Sequence, residues 1–564
     1  MTSTQKFTSL LAFFAVFWNC ELEAHPAHAK PVNYPYVVGF ERFHSSLDDD
    51  EYLARGGLIL LNELNCVACH APPEPLAPYL NGVVATDLEG VASRLSPVNI
   101  EIMIRNPRFM KKDTVMPSLF AGPDRDLEEV EALKHFLSSL KTDIPSYEVG
   151  DIEAGRAFYH RVGCAACHAP EVGYRPPGVP ENAEIELAGL PSVPMNLADL
   201  YHIDAVAHFL LHPNKHRPSG RMPDFNLTEK EATDLAAYLK AGPDLVLPEN
   251  LSAALGASEG FEIDPVLVEK GKALFSQKSC SACHETPGTD HSLEKGKALA
   301  MADLDPDSEG GCFSERPLGG PVPFYGLDVV QKRAIAEALR RIDVTKPFDT
   351  AGEIDWRMKR LNCYACHERD GIGGAETARE VYFGFQTEEA KKMGLWGNLP
   401  PMLDRVGARL TDSWLEKVMT GHPDRGSVRN YMMARMPLYS AEKVQPFLTQ
   451  LPEVDLPKDV EKGGLGLFGG RSAELGHHLL GAEGKQCISC HDIGSEKATE
   501  WPGIDLAIAP DRLRRSYFDR LLLKPQETIR SIPMPDQFED NKESRKELDA
   551  MWSYLKQINS KEEN

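Results

Sequence analysis

The sequence predicts an all-α protein: five small helical domains with long loops, set in tandem. Three observations carry that prediction. The chain has 564 residues, too many for one core at roughly 100–150 residues per domain. One short pattern, Cys-x-x-Cys-His, occurs five times at intervals of the size of a small domain. The same helical strings, with the same glycines and capping residues, recur around most copies.

The bulk numbers set limits. The formal net charge of −23 argues against nucleic acid, whose phosphates would repel such a surface, and leaves room for a basic partner protein. The 42 prolines and 44 glycines suggest long ordered loops. At the N-terminus, Lys6, the apolar run Leu10–Trp18 and the small-x-small site Ala27-His28-Ala29 read as a secretory signal over 1–29. Phe17, Trp18 and Asn19 are too bulky for lipoprotein processing at Cys20. No later stretch is apolar enough for a membrane span, so a soluble, exported, periplasmic protein is expected.

Ten of the twelve cysteines fall in the repeated frame: Cys66-Val-Ala-Cys69-His70, Cys164-Ala-Ala-Cys167-His168, Cys280-Ser-Ala-Cys283-His284, Cys363-Tyr-Ala-Cys366-His367 and Cys487-Ile-Ser-Cys490-His491. Disulfides or zinc knuckles would use the cysteine pairs but leave the invariable histidine unexplained. Covalent haem explains all three residues: two thiols add to the vinyl groups, and the adjacent imidazole lies under the iron as proximal ligand. Five haems c are expected.

A helix precedes each motif. Gly57, Gly155 and Gly271 stand nine residues before the first cysteine, and Gly352 and Gly476 eleven before, each followed four residues on by a bulky apolar residue (Leu61, Tyr159, Phe275, Trp356, Leu480). A recurrent glycine inside a helix implies close approach of another helix. Downstream, Met116-Pro117, Met222-Pro223, Met436-Pro437 and Met534-Pro535 each precede a second helix. Thr228 and Glu231 form a capping box for the one after Met222, and Pro446 predicts a short or bent helix after Met436. Pro107, Pro213 and Pro525 lie nine residues before their methionines, and Pro423 thirteen before Met436. The domains are bounded at 30–145, 146–245, 260–345, 350–455 and 460–564.

These features resemble the class I cytochrome c family, in which a helix ends in the Cys-x-x-Cys-His motif, a loop brings a methionine, and a second helix crosses the first. The exported array with its GFERFH lead-in also resembles the multihaem cytochromes of planctomycete-type bacteria. The resemblance implies Met116, Met222, Met436 and Met534 as distal ligands of haems 1, 2, 4 and 5, with Met432 and Met433 as rivals to Met436. The third domain departs from the pattern. Val322 falls in the methionine position, and a glycine- and proline-rich passage from Asp305 to Gly326 replaces the mid-domain helix. Haem 3 is then open or water-bound, or takes Cys312, His291, Met301 or Tyr325. His202, His208, His212 and His216 read as solvated or haem-edge histidines rather than a metal site.

The function expected is electron transfer along five haems to redox partner proteins. Two others stay open: a multihaem oxidoreductase acting on a peroxide or sulfur compound at haem 3, or a cytochrome subunit of a membrane complex.

Overall fold

In a computed structural model of the chain, most of residues 34–562 are described; the segments outside the description include 1–33, 121–125, 186–191, 194–199, 242–259, 288–297, 343–347, 422–428 and 457–469. The signal segment, Cys20, His291 and Pro423 therefore lie outside it. Among the described residues no helix is long and apolar enough to cross a membrane. The principal helices, in chain order, are α1 (Val38–Phe43), α2 (Asp50–Glu63), α3 (Pro97–Arg105), α4 (Leu127–Ser139), α5 (Ile152–Val162), α6 (Ile203–Leu211), α7 (Glu229–Lys240), α8 (Pro265–Gln277), α9 (Val329–Arg340), α10 (Thr350–Arg360), α11 (Asp412–Thr420), α12 (Ala441–Asp455), α13 (Gly470–Leu480), α14 (Arg515–Leu523) and α15 (Lys542–Glu562). The only named strands among the described residues are Glu368–Arg369 and Ile372–Gly373, a small antiparallel hairpin.

The helices pair, but not in the order that the sequence suggests. Helices α5 and α7 pack on each other, as do α13 and α15, each pair within one repeat. By contrast α2, which leads into Cys66, packs on α9, and α8, which leads into Cys280, packs on α4. The first and third repeats have exchanged halves. One apolar core joins Leu53, Leu60 and Leu61 to Tyr325, Ile335 and Leu339; another joins Ile100, Phe120, Leu133 and Phe136 to Leu274 and Phe275. The stretches 30–145 and 260–345 are therefore not separate domains. They make two intertwined units, with the second repeat inserted between their halves in the chain.

The recurrent glycines mark where these helices cross. A Cβ on Gly57 would lie 2.0 Å from the Ala334 carbonyl oxygen, on Gly155 1.9 Å from that of Asp234, on Gly271 2.1 Å from that of Ala132, and on Gly476 2.1 Å from that of Ala550. No side chain fits at such distances, so hydrogen lets the two backbones touch. Two more residues separate Gly476 from its cysteine because α13 ends at Leu480, six residues short of Gln486. Gly352 does not serve this way: its nearest neighbours are Asp349 and Phe348, just before α10. The position nine residues before Cys363 is Ile354, buried in the core of the fourth unit. In that unit the close approach moves to Gly407, whose Cβ would meet the Leu451 carbonyl. Helix α12 runs through Pro446 and Pro452 for 15 residues rather than stopping short.

The units, numbered by the motif that each holds, adjoin in the order 1, 3, 2, 4, 5. Units 1 and 3 are joined by a bridge between Ser118 and Phe324, units 3 and 2 by Leu95 and Tyr201, units 2 and 4 by Asp224 and Leu438, and units 4 and 5 by Leu410 and Leu513. The lead-in helix α1 ties unit 1 to unit 4: Arg42 donates to the carbonyl oxygens of Tyr364 (2.8 Å) and Gly374 (2.6 Å).

Between units 2 and 4, Arg435 Nη1 donates to Glu231 Oε2 at 2.9 Å, while the same carboxylate accepts the Thr228 N–H at 2.8 Å. Burial raises the Glu231 pKa, but these donors outweigh it and hold the carboxyl at about 2. A depressed carboxyl pKa stabilises the fold above the unfolded value, and that stability is lost as pH falls from about 4.5 towards 2. Discounted for partial exposure, it is worth about 2 kcal/mol. An Arg435→Met variant should therefore lose stability at pH 6 but little at pH 2, as read from denaturant melts.

Candidate functional site

Each motif is set up by the same local geometry. A residue in the left-handed region stands directly ahead of the first cysteine in every copy: Asn65 (φ 58°), Gly163 (φ 122°), Ser279 (φ 61°), Asn362 (φ 56°) and Gln486 (φ 57°). The cysteines then span one tight 3₁₀ turn in all five copies. It closes with the histidine N–H donating to the first cysteine's carbonyl at 2.9–3.0 Å. This turn gives two thiols and one imidazole a fixed mutual placement.

The histidines are oriented identically. Nδ1 of His70 lies 2.8 Å from the Leu299 carbonyl oxygen, that of His168 2.8 Å from Val193, His284 2.8 Å from Thr86, His367 2.7 Å from Pro401 and His491 2.8 Å from Ile504. A carbonyl only accepts, so Nδ1 carries the proton and Nε2 presents its lone pair. Burial pushes His168 and His367 down to about 4, partly offset by the carbonyl, and moves His284 and His491 the same way. These imidazoles stay neutral and able to bind a metal at ordinary pH. The carbonyl for His70 comes from residue 299 and that for His284 from residue 86, so the exchange reaches the sites themselves.

All eleven described cysteines are free thiols. Burial pushes those of Cys66, Cys164, Cys280 and Cys363 up to about 12. Among the described residues, no group of three or more His, Cys, Asp or Glu could hold a metal ion. Pairs of neutral thiols beside a histidine with a free Nε2 fit covalent haem, which they would hold through two thioethers and the imidazole as a ligand to its iron. Such a group would supply one-electron chemistry at its iron.

The exchange changes which helix pair each methionine stretch leads into. Met116 lies four residues before Phe120, which packs with Leu274 and Phe275 in the unit of Cys280. Val115, just before Met116, packs against the core of Cys66, so the Met116 stretch runs between units 1 and 3 on its way into α4, the partner of α8. Met222 and Cys164 pack against one core, and Met436 and Cys363 against another. Met534 precedes α15 in the unit of Cys487, its carbonyl accepting from Gln526. The unit holding motif 1 has Val322, not methionine, at the position that leads into its second helix, α9.

Of the substitutes for that ligand, Tyr325 is engaged: its hydroxyl donates to the Leu64 carbonyl at 2.8 Å, as Tyr439 does to Leu361 at 3.3 Å. Met301 is 1% exposed in the core, two residues past the carbonyl that holds His70, and its N–H donates to Ala71. Its backbone is thereby held next to His70. Cys312 packs against the same core as Cys66. His291 lies outside the described residues.

Sequence reasoning missed two sets of residues. Asn65 Nδ2 donates to Cys283 Sγ, and Asn362 Nδ2 to Cys167 Sγ, each at 3.1 Å, so motifs 1 and 3 adjoin, as do motifs 2 and 4. Arg379, 1% exposed, reaches from the fourth unit to the carbonyls of Ala165 and His168. The histidine group in the second unit does cluster: the His208 ring is 4.9 Å from His212 and 5.4 Å from His216. His216 is bound by Arg94 at 2.8 Å, and His208 by the Tyr147 hydroxyl at 2.7 Å.

The Cytochrome c family matches residues 152–242. This is the second repeat, from α5 through the motif and the Met222 loop to the end of α7. A cytochrome c domain is present there, with the covalent haem c and haem-based electron transfer that it implies. No curated protein and no solved structure matches the chain.

Proposed function

We propose that the chain is an exported electron-transfer protein with five covalent haems c, one on each motif, and that it exchanges electrons with redox partner proteins in the periplasm. The observation that supports this best is the fivefold identity of the sites. Each has the tight cysteine turn and the histidine Nδ1 held by a backbone carbonyl. His70, His168, His284, His367 and His491 are the proximal ligands; Met222, Met116, Met436 and Met534 are the distal ligands in units 2, 3, 4 and 5. The chain's own residues orient the imidazoles and shield the sites with the apolar cores of the five units. The signal sequence and the C-type motifs support export together, since both belong to chains finished outside the cytoplasm.

Mass measurement of the mature protein, with a haem assay after acid–acetone extraction, tests the proposal. Five haems that resist extraction are expected; fewer, or extractable haem, would refute the count. A second reading is favoured by one observation. The unit of motif 1 has Val322 where the others have methionine, so this site is open to a small ligand such as a peroxide or sulfur compound.

A further inference from the structure

Three arginines meet where units 4 and 5 join. Arg409 ends the one-turn helix Val406–Arg409, Arg512 ends Ala509–Arg512, and Arg429 lies in the loop before Met436. The strand-like bridge at Leu410 and Leu513 holds the first two side by side: Thr411 N–H donates to the Arg512 carbonyl at 3.0 Å, and Arg514 N–H to the Arg409 carbonyl at 2.9 Å. Among the described residues no acidic side chain pairs with any of the three. The buried Nε atoms of Arg409 and Arg512 have no hydrogen-bond partner. What surrounds them is neutral: Tyr431, the Tyr517 hydroxyl on Arg409, the Met402 carbonyl at 3.0 Å and the Met432 sulfur 3.7 Å from Arg429.

Guanidiniums do not shed their charge to escape such a place. Gathering three without an anion is opposed by desolvation and by mutual repulsion. Arg512 shows it: burial, Arg429 and Arg409 push its pKa down to about 9. The cluster lies beside both neighbouring sites: Arg409 donates to the carbonyl of Met402, next to Pro401, whose carbonyl holds His367, and Arg512 ends the short helix that follows Ile504, whose carbonyl holds His491.

We infer that Arg409, Arg429 and Arg512 form one carboxylate-binding site shared by two units, which takes the propionates of the groups held at Cys363–His367 and at Cys487–His491. This rests on the reading that both motifs carry haem. Arginine suits the role because its planar fork binds carboxylates in pairs. The cluster fixes the two haem edges against each other, and it holds their carboxylates ionised.

The test uses the full-length holoprotein. Haem content by mass comes first, because a missing haem at motif 4 or 5 overturns the pentahaem reading and this inference with it. With five haems present, Arg512→Gln should lower the reduction potentials of two of the five together, since a lost cation favours the ferric state. Those two potentials should also become pH-dependent between pH 5 and 8, as the carboxylates are no longer held ionised. Arg512→Lys, which keeps the charge, should restore most of the shift and serves if the Gln variant does not fold. A shift at one haem only, or none, overturns the shared site. So does saturable binding of inorganic phosphate by the wild-type holoprotein at this cluster, which would mean that the arginines take a free anion instead.

Discussion

A Gly271→Leu variant is expected to lose more than 3 kcal/mol of stability, and to expose two stretches that are far apart in sequence. The Cβ alone would sit 2.1 Å from the Ala132 carbonyl oxygen and 2.7 Å from Phe136 Cβ. Both belong to rigid helix α4, so the helices must part by more than an ångström and forfeit their packing around Leu274 and Phe275. Overpacking costs about 1–3 kcal/mol where a core can adjust; a backbone contact cannot adjust. Limited proteolysis with mass spectrometry reads the result. Residues 88–140 and 264–286 should become cleavable together. If only residues near Gly271 lose protection, helices α4 and α8 are not partners. Gly352→Ala is the control: its nearest contacts are 3.1 Å or longer, and its effect should stay below about 1 kcal/mol.

The reduced protein should bind carbon monoxide at about one haem in five, with a matching high-spin signal when oxidised. The site is in unit 1, where Val322 offers iron no lone pair, Tyr325 is tied to the Leu64 carbonyl and the Met301 backbone is held to Ala71, next to His70. Val322→Met should diminish both signals by supplying a sulfur to the ferrous iron. Met116→Ala should do the opposite and add a second carbon monoxide site, in unit 3. Cys312→Ser should leave the stoichiometry unchanged; if instead it creates a site where the wild type has none, Cys312 is the ligand and the open-site reading falls.

Much of this was legible in the residues. The helix before each motif, the caps and four of the five crossing glycines follow from spacing, and Pro107, Pro213 and Pro525 each begin a one-turn helix before their methionine. The partnership of helices was not legible. Periodicity shows that α2 and α9 each have an apolar face, yet α4 and α9 carry much the same face, and nothing in it says which pairs with which. The one signal lay in charge: Lys278 meets Glu129 at 2.6 Å, and Arg333 meets Asp50 at 2.6 Å. Surface ion pairs are too weak, and charges too common, for that to decide a topology beforehand. Gly352 misled because its offset matched Gly476, whereas only the latter unit has the longer turn. The arginines recur as Arg-Leu just before a helix start at Arg94, Arg409 and Arg512, a repeat visible in the sequence but meaningless until two units lie together.

The exchange between the first and third repeats also sets a clock. Gly57 and Ala334 are 277 residues apart (334 − 57). At roughly 5–20 residues per second, the ribosome needs about 15–55 s to deliver the second after the first. A local helix pair closes in microseconds. Residues 152–240 hold their helix partners within one stretch, whereas α2 waits, its apolar face uncovered, for a partner that emerges later. The first repeat in the chain is among the last to be completed, and no cut between residues 64 and 329 leaves it whole.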